Sequence, residues 1–223
     1  MLSVVTIDGP AGAGKSTVAR RVARELGFQF LDTGAMYRAV TWAATKAGLE
    51  AVESADMDQL LEALTLSFEG DGQLTANGTN VTKAIRERSV TSQVSAFAAL
   101  ASVRHLMSRA QREMGEAGNL VCEGRDMGTF VFPDAAVRIY LDASPDVRAT
   151  RRAKELEDKG ETVDFDGLLN EIKARDAADS SRTVAPLKRV PEQHYVDSSE
   201  MSREDVISTL LDIARSGLAD TVS

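Results

Sequence analysis

Cysteine is nearly absent from this 223-residue chain: Cys122 is the only one, which excludes an internal disulfide and suits a reducing compartment. It sits in the apolar run Leu120-Val121-Cys122, so a buried strand position is expected rather than a reactive thiol. Long apolar runs are missing too. None approaches the roughly 20 residues that cross a bilayer, and the first residues show no basic stretch leading into an apolar one. Basic tails and Lys/Arg blocks are also lacking. The net charge is −8 and the isoelectric point is near 4.9, which argues against a nucleic-acid-binding surface. No internal repeat or low-complexity segment is found. These absences lead to the expectation of a cytoplasmic protein with neither membrane nor nucleic acid as partner. What remains is ordinary for a globular chain, 43% hydrophobic and 27% charged. Its length suits one domain with insertions, or a core plus a small subdomain.

One stretch organises the rest. Gly9-Pro10-Ala11-Gly12-Ala13-Gly14-Lys15-Ser16-Thr17 fits the spacing G-x-x-x-x-G-K-[ST]. Glycines allow the tight turns that bring backbone N–H groups close to a polyphosphate. Lys15 would place its charge on the β- and γ-phosphates, and the Ser16 hydroxyl is suited to ligating Mg²⁺. The flanks agree. Leu2–Ile7 is a short β-rich run, and after the loop Val18, Val22 and Leu26 recur at helical spacing up to Gly27. Such a strand–loop–helix unit aims a helix N-terminus at bound phosphate.

Farther along, Phe28–Leu31 reads as a second strand, and Thr33 as the cap of a helix that carries Tyr37, Arg38 and Trp42 toward Gly48. A helix over 56–64 precedes an alternating segment. There Leu64–Phe68, Gln73–Ala76 and Thr79–Val81 form a three-strand antiparallel meander, turned at Gly70-Asp71-Gly72 and at Asn77-Gly78. The pattern from Val90 to Ala117 is read as one helical stretch with an apolar stripe of Val94, Phe97, Leu100, Val103 and Leu106, Ser95 and Arg104 lying within it. Asn119–Glu123 is a core strand followed by the charged loop Glu123–Thr129. Loops at such strand ends bind ligands in open parallel sheets. Val137–Leu141 is another strand. Helices follow from Pro145, carrying Arg148, Arg151, Arg152 and Lys154, and from Phe165, with Arg175, Asp179 and Arg182 spaced to share a face. His194–Asp197 and a helix capped by Ser202 complete the chain.

Arginines so placed can be a salt-bridged surface. Behind a P-loop they also suit phosphoryl transfer, which needs positioned positive charge more than covalent help. The ordered set Ile7–Thr17, Leu31–Arg38, Glu123–Thr129 with Val131–Ala135, Arg175–Arg182 and Ala185–Leu187 resembles the bacterial cytidylate kinases, in the nucleoside monophosphate kinase group. It departs from them at Thr33, where Ser is frequent, and at Ala101, where Pro is frequent.

The resemblance implies an α/β three-layer P-loop fold with a parallel core sheet, an inserted antiparallel meander and a lid. The core is expected from residues 1–32, 118–150 and 193–223, the monophosphate-binding region from 33–117 with its β insertion near 64–82, and the lid from 151–192. It implies ATP at Gly9–Thr17 with Mg²⁺ on Ser16. Thr33, Arg38, Arg125 and Arg182 would hold the acceptor phosphate, with Tyr37 lining it. Ser95, Arg104 and Asp126 would read cytosine, while Arg175 and Asp179 hold sugar and phosphate. Lys15, Arg125, Arg151 and Arg182 would stabilise the transferred group. Asp126 suits the cytosine N4 amino donor. The expected reaction is transfer from ATP to CMP or dCMP by a monomer. Glu123 and Asp32 are the candidates, on position alone, for supporting the metal. A kinase for UMP or another small acceptor is the nearest alternative. A GTP-dependent switch is disfavoured because no Asn-Lys-x-Asp sequence is present.

Overall fold

The computed structural model describes residues 2–69 and 72–220. The chain forms two compact units, one built from the segments up to Leu31 and from Gly115 onward, the other from Asp32–Met114.

The larger unit is organised by β1 (Leu2–Asp8), whose side chains from Val4 to Asp8 are all buried. This strand pairs in parallel on both edges, and a parallel strand covered on both faces reads as a near-continuous apolar run. With β2 (Gln29–Asp32), β6 (Leu120–Gly124), β7 (Ala135–Asp142) and β8 (His194–Asp197) it makes a five-stranded sheet in the order β2-β6-β1-β7-β8. Asp8 pairs with Gly124 on one side and Tyr140 on the other, all parallel. The chain leaves β1 toward one side of the sheet and later returns on the other, so the C-terminal end of β1 is a topological switch point.

Helix α1 (Lys15–Leu26) packs Val18 and Val22 with Val5, Ile7, Val121, Ile139 and Leu141, and α9 (Arg203–Asp220) adds Val206, Leu210 and Ala214. Gly27 stops α1 in the left-handed conformation, its N–H returning to Ala23 and Arg24. Ser144 caps α7 (Pro145–Glu157) by accepting from the Val147 N–H, and Asp164 caps α8 (Phe165–Ser180). Among the described residues no helix is long and apolar enough to cross a membrane.

The smaller unit holds α2 (Thr33–Lys46), α3 (Ala55–Ala63) and an antiparallel sheet of β3 (Leu66–Glu69), β4 (Gln73–Ala76) and β5 (Thr79–Asn80). Leu74, Ala76, Val81 and Ile85 pack with Ala35 and Ala39 of α2. Asn77 and Gly78 both have positive φ, 48° and 74°, and close the second hairpin. The turn expected at 70–72 falls partly outside the described residues.

Three local expectations change. The cap of α2 is Asp32, whose Oδ1 accepts from the Ala35 N–H at 2.8 Å; Thr33 is already helical. The stretch from Val90 is not one helix but two single turns, α4 (Arg88–Thr91) and α5 (Val94–Phe97), and then α6 (Ala101–Gly115). The break is fixed from a distance, because the Glu53 carboxylate accepts from the Ala101 and Ser102 N–H groups at 2.6 and 3.2 Å and starts α6 there. Finally, the charged loop after β6 contains a π-helical turn, Met127–Val131.

Candidate active site

The loop Gly9–Gly14 is held in a shape only glycine permits at its key points. Gly9, Gly12 and Gly14 have φ of 146°, 82° and 89°. A Cβ on Gly9 would lie 1.9 Å from the Leu141 carbonyl oxygen, so the loop passes directly over β7. Gly14 is the N-cap of α1 and makes no side-chain cap bond, and the first turn has no acidic residue, which leaves its orphan N–H groups and positive dipole end to an anion.

Lys15 is buried, its Nζ donating to the Pro10 carbonyl at 2.7 Å and lying 4.0 Å from Glu123. Burial, together with the Arg125 charge, pulls the ammonium down to about 7 against the opposing pull of Glu123. Bound polyphosphate would supply the anionic partner this ammonium lacks in sufficient measure. Ser16 donates to Glu123 Oε1 at 2.6 Å. A divalent cation fits this corner: a hydroxyl and a carboxylate face each other beside the cradle. Among the described residues no group of three or more His, Cys, Asp or Glu could cage a metal. A hard cation that takes most of its ligands from phosphates and water needs no such cage.

Past β6, a second cluster in the same unit gathers arginine. Asp179, 1% exposed, accepts from Arg125 Nε at 2.8 Å and from Arg182. Burial pushes this carboxyl up, but Arg125 and then Arg182 outweigh it and hold it below the ordinary carboxylate range. For Arg125, burial acts against the charge and Asp179 overcomes it. Two guanidinium groups are thereby fixed on one carboxylate. Arg182 does this from beyond the end of α8, so the expected shared helical face holds only for Arg175 and Asp179. Asp126 is buried at the start of the π-helical turn.

Arg148 emerges as a residue that sequence reasoning had only counted. It is buried, bonded to both oxygens of Asp176 at 3.0 and 2.6 Å, and donates to the Ala11 carbonyl of the glycine loop at 3.0 Å. It thus ties α7 and α8 to the loop. Its helical spacing from Arg151 was visible, but its partners were not. Arg151 itself donates to the Ser198 carbonyl at 2.6 Å. A cleft of about 320 Å³ opens beside Pro10, lined by Tyr140, Asp142, Arg148, Asp176 and Asp197 among others.

In the smaller unit, α2 carries Thr33, Tyr37 and Arg38, α5 carries Ser95, and α6 carries Arg104. Arg104 is 1% exposed. Its guanidinium lies 5.5 Å from the centre of the Tyr37 ring and donates to the Ala98 carbonyl at 3.2 Å. Buried, bonded and stacked, it is a pre-positioned donor rather than the solvated charge its helical pattern would allow. Asp32, by contrast, is engaged as a helix cap, with Arg86 3.9 Å from its Oδ2.

Known proteins resemble this chain in both fold and sequence. Solved structures resemble it in fold: shikimate kinase from Bacteroides thetaiotaomicron has a TM-score of 0.51 at 16% identity, covering 96% of this chain and 99% of that one. An uncharacterized protein from Eubacterium ventriosum ATCC 27560 has a TM-score of 0.55 at 11% identity, with 97% and 99% covered. In sequence, a cytidylate kinase of Shouchella clausii (strain KSM-K16) is 44% identical over 214 residues, 95% of each chain. A bifunctional pantoate ligase/cytidylate kinase of Prochlorococcus marinus (strain MIT 9303) is 47% identical over 95% of this chain, which spans 44% of that longer protein. The family model described as cytidylate kinase matches residues 5–216. Because that match runs from the first strand into the last helix and takes in both the glycine loop and the arginine cluster, the chain belongs to the cytidylate kinase family.

Proposed function

We propose that the chain transfers the γ-phosphoryl group of ATP to CMP or dCMP, giving ADP and CDP or dCDP, in the cytoplasm and as a monomer. The observation that carries this reading, beside family membership, is the pairing in one unit of a glycine loop, where Lys15 and Ser16 meet Glu123, with two arginines fixed on Asp179. Gly9 to Thr17 bind the donor phosphates, and the cleft beside Pro10 gives the donor nucleoside room. Mg²⁺ would be held by the Ser16 hydroxyl, supported by Glu123. When bound, it would supply positive charge that offsets the negative charge of the donor phosphates.

Lys15 and Arg125, Arg151 and Arg182 offset the charge that develops on the transferred group, with no general base required. Thr33, Tyr37, Arg38, Arg125 and Arg182 take the acceptor phosphate, and Arg175 with Asp179 takes the sugar and adjoining phosphate. Ser95, Arg104 and Asp126 read the base. A carboxylate at Asp126 accepts from the N4 amino group of cytosine and repels O4 of uracil, so UMP is rejected. Residues 151–192 act as the lid that excludes water and suppresses hydrolysis of ATP.

The test is release of ADP from ATP and Mg²⁺ against CMP, dCMP, UMP, AMP, GMP and shikimate, with Lys15→Ala as control. Turnover with CMP and dCMP well above UMP is expected, abolished by EDTA and reduced about a hundredfold or more in Lys15→Ala. Equal turnover of UMP would remove the assignment of the base-reading residues. Absence of any acceptor-dependent turnover would overturn the kinase reading.

A further inference from the structure

Asp8 is the last residue of β1 and is completely buried. Both of its oxygens are used. Oδ1 accepts from the Met127 N–H at 2.7 Å, and Oδ2 accepts from the Gly128 N–H at 2.8 Å and from Gln193 Nε2 at 3.1 Å. Met127 and Gly128 are the first two residues of the π-helical turn, whose N-cap position is Asp126. An Asp at that position ordinarily caps its own helix by accepting one of the first amides. Here Asp126 makes no side-chain cap bond to the turn. The amides go instead to a carboxylate 119 and 120 residues away in sequence. Around this junction there is no slack. A Cβ on Gly128 would come within 2.7 Å of Thr6 Oγ1 and 3.2 Å of Arg138 Cγ, so the turn lies directly on β1 and β7.

We infer that Asp8 is a positioning residue for base recognition: by capping the Met127–Val131 turn from β1, it sets the direction of the Asp126 carboxylate and so tunes discrimination of cytosine from uracil. The inference rests on the cytidine-nucleotide reading of the site given above. Its chemistry is simple. A carboxylate offers an acceptor to each of two adjacent amides, whereas a carboxamide offers one acceptor and turns an N–H₂ toward the other. In Asp8→Asn one amide of the turn is left facing a donor, the turn re-orients, and Asp126 swings with it. Gln193 bonds through its own Oε1 to the Val190 N–H at 3.1 Å, so the same carboxylate also fixes the loop that follows Arg182.

The experiment is steady-state kinetics of wild type, Asp8→Asn, Asp126→Ala and the double variant with CMP, UMP and ATP varied in turn, beside thermal unfolding of each. Asp8→Asn is expected to raise KM for CMP about tenfold and to erode the CMP-to-UMP preference by the same factor, while kcat and KM for ATP stay within about threefold. In the Asp126→Ala background the same substitution leaves the CMP-to-UMP ratio unchanged, because the two act as one unit. A loss in kcat and both KM values that leaves the base preference intact overturns the inference, as does an effect additive with Asp126→Ala. If Asp8→Asn does not fold, Gln193→Leu, which removes one donor from Oδ2 of the same carboxylate and also the acceptor of the Val190 N–H, carries the test with a smaller shift of the same ratio. Failure of wild type to use CMP at all would instead fall on the functional reading.

Discussion

At the scale of single residues, the arginines show how far sequence alone reaches. Arg125 and Arg182 were legible as candidates because arginine beside a P-loop suits phosphate, and Asp179 through the resemblance to the cytidylate kinases, yet nothing in their spacing said that one carboxylate holds two guanidinium groups. Asp8 and Arg148 were not legible as site residues at all, since the Met127 N–H that Asp8 accepts from and the Ala11 carbonyl that Arg148 donates to lie more than a hundred positions away. The clamp has an energetic consequence. The Arg182 side chain is 7% exposed and that of Arg125 18%, so removing Asp179 leaves two largely buried positive charges without their shared counter-ion. Asp179→Ala is therefore expected to destabilise the fold by about 3 kcal/mol, with Asp179→Asn milder because it keeps an acceptor. Urea denaturation at neutral pH measures it. Because the Asp179 carboxyl lies below its unfolded value, its contribution is present above the ordinary carboxylate range and is lost as pH falls through the folded value. The gap between wild type and Asp179→Ala should narrow in acid.

Among the elements, the strands and long helices were readable because each carries its own signal: continuous apolar runs for β1, β6 and β7, Gly27 after α1, Ser144 and Pro145 before α7. The misreadings came where a distant group sets the boundary. The apolar stripe from Val94 to Leu106 is periodic enough for one helix, but Glu53, reaching from the turn before α3, caps α6 at Ala101 and divides it. Likewise the π-helical turn is fixed by Asp8, which no local pattern reveals. The Glu53 cap makes a direct test. Its side chain also accepts from Ser102 Oγ, and this bond chiefly, with the two backbone bonds, holds its carboxyl below the ordinary range. Glu53→Ala is expected to cost about 1 kcal/mol, the usual loss for a helix cap, with early amides of α6 exchanging faster while β1 is unaffected. Hydrogen exchange reads this by segment.

Over the whole molecule, a net charge of −8 was rightly legible as acidic, but it conceals two buried groups of opposite sign whose cost only the fold reveals. Burial raises the Asp8 carboxyl to about 7, with the Asp126 charge adding to it and the Met127 and Gly128 N–H groups opposing. Burial lowers the Lys15 ammonium to about 7, with Arg125 adding and Glu123 and Asp8 opposing. The signs differ. Between the unfolded carboxylate value near 3.8 and about 7, native Asp8 holds a proton that the unfolded chain has lost, so its contribution to stability falls as pH rises. Between about 7 and 10.5, native Lys15 has lost a proton that the unfolded chain keeps, so its contribution rises with pH. The two together place the least favourable pH for the ligand-free protein near neutrality. Denaturation at pH 5, 7 and 9 of wild type, Asp8→Asn and Lys15→Met separates them. The stability of wild type relative to Asp8→Asn should drop from pH 5 to 7 and then level, while relative to Lys15→Met it should be flat from 5 to 7 and rise toward 9. ATP should erase the second trend, because its phosphates recharge Lys15, and at 100 times its dissociation constant it adds about 2.7 kcal/mol to the folded state. A wild type whose stability relative to Lys15→Met does not change from pH 7 to 9 would show that this ammonium is already fully compensated without nucleotide.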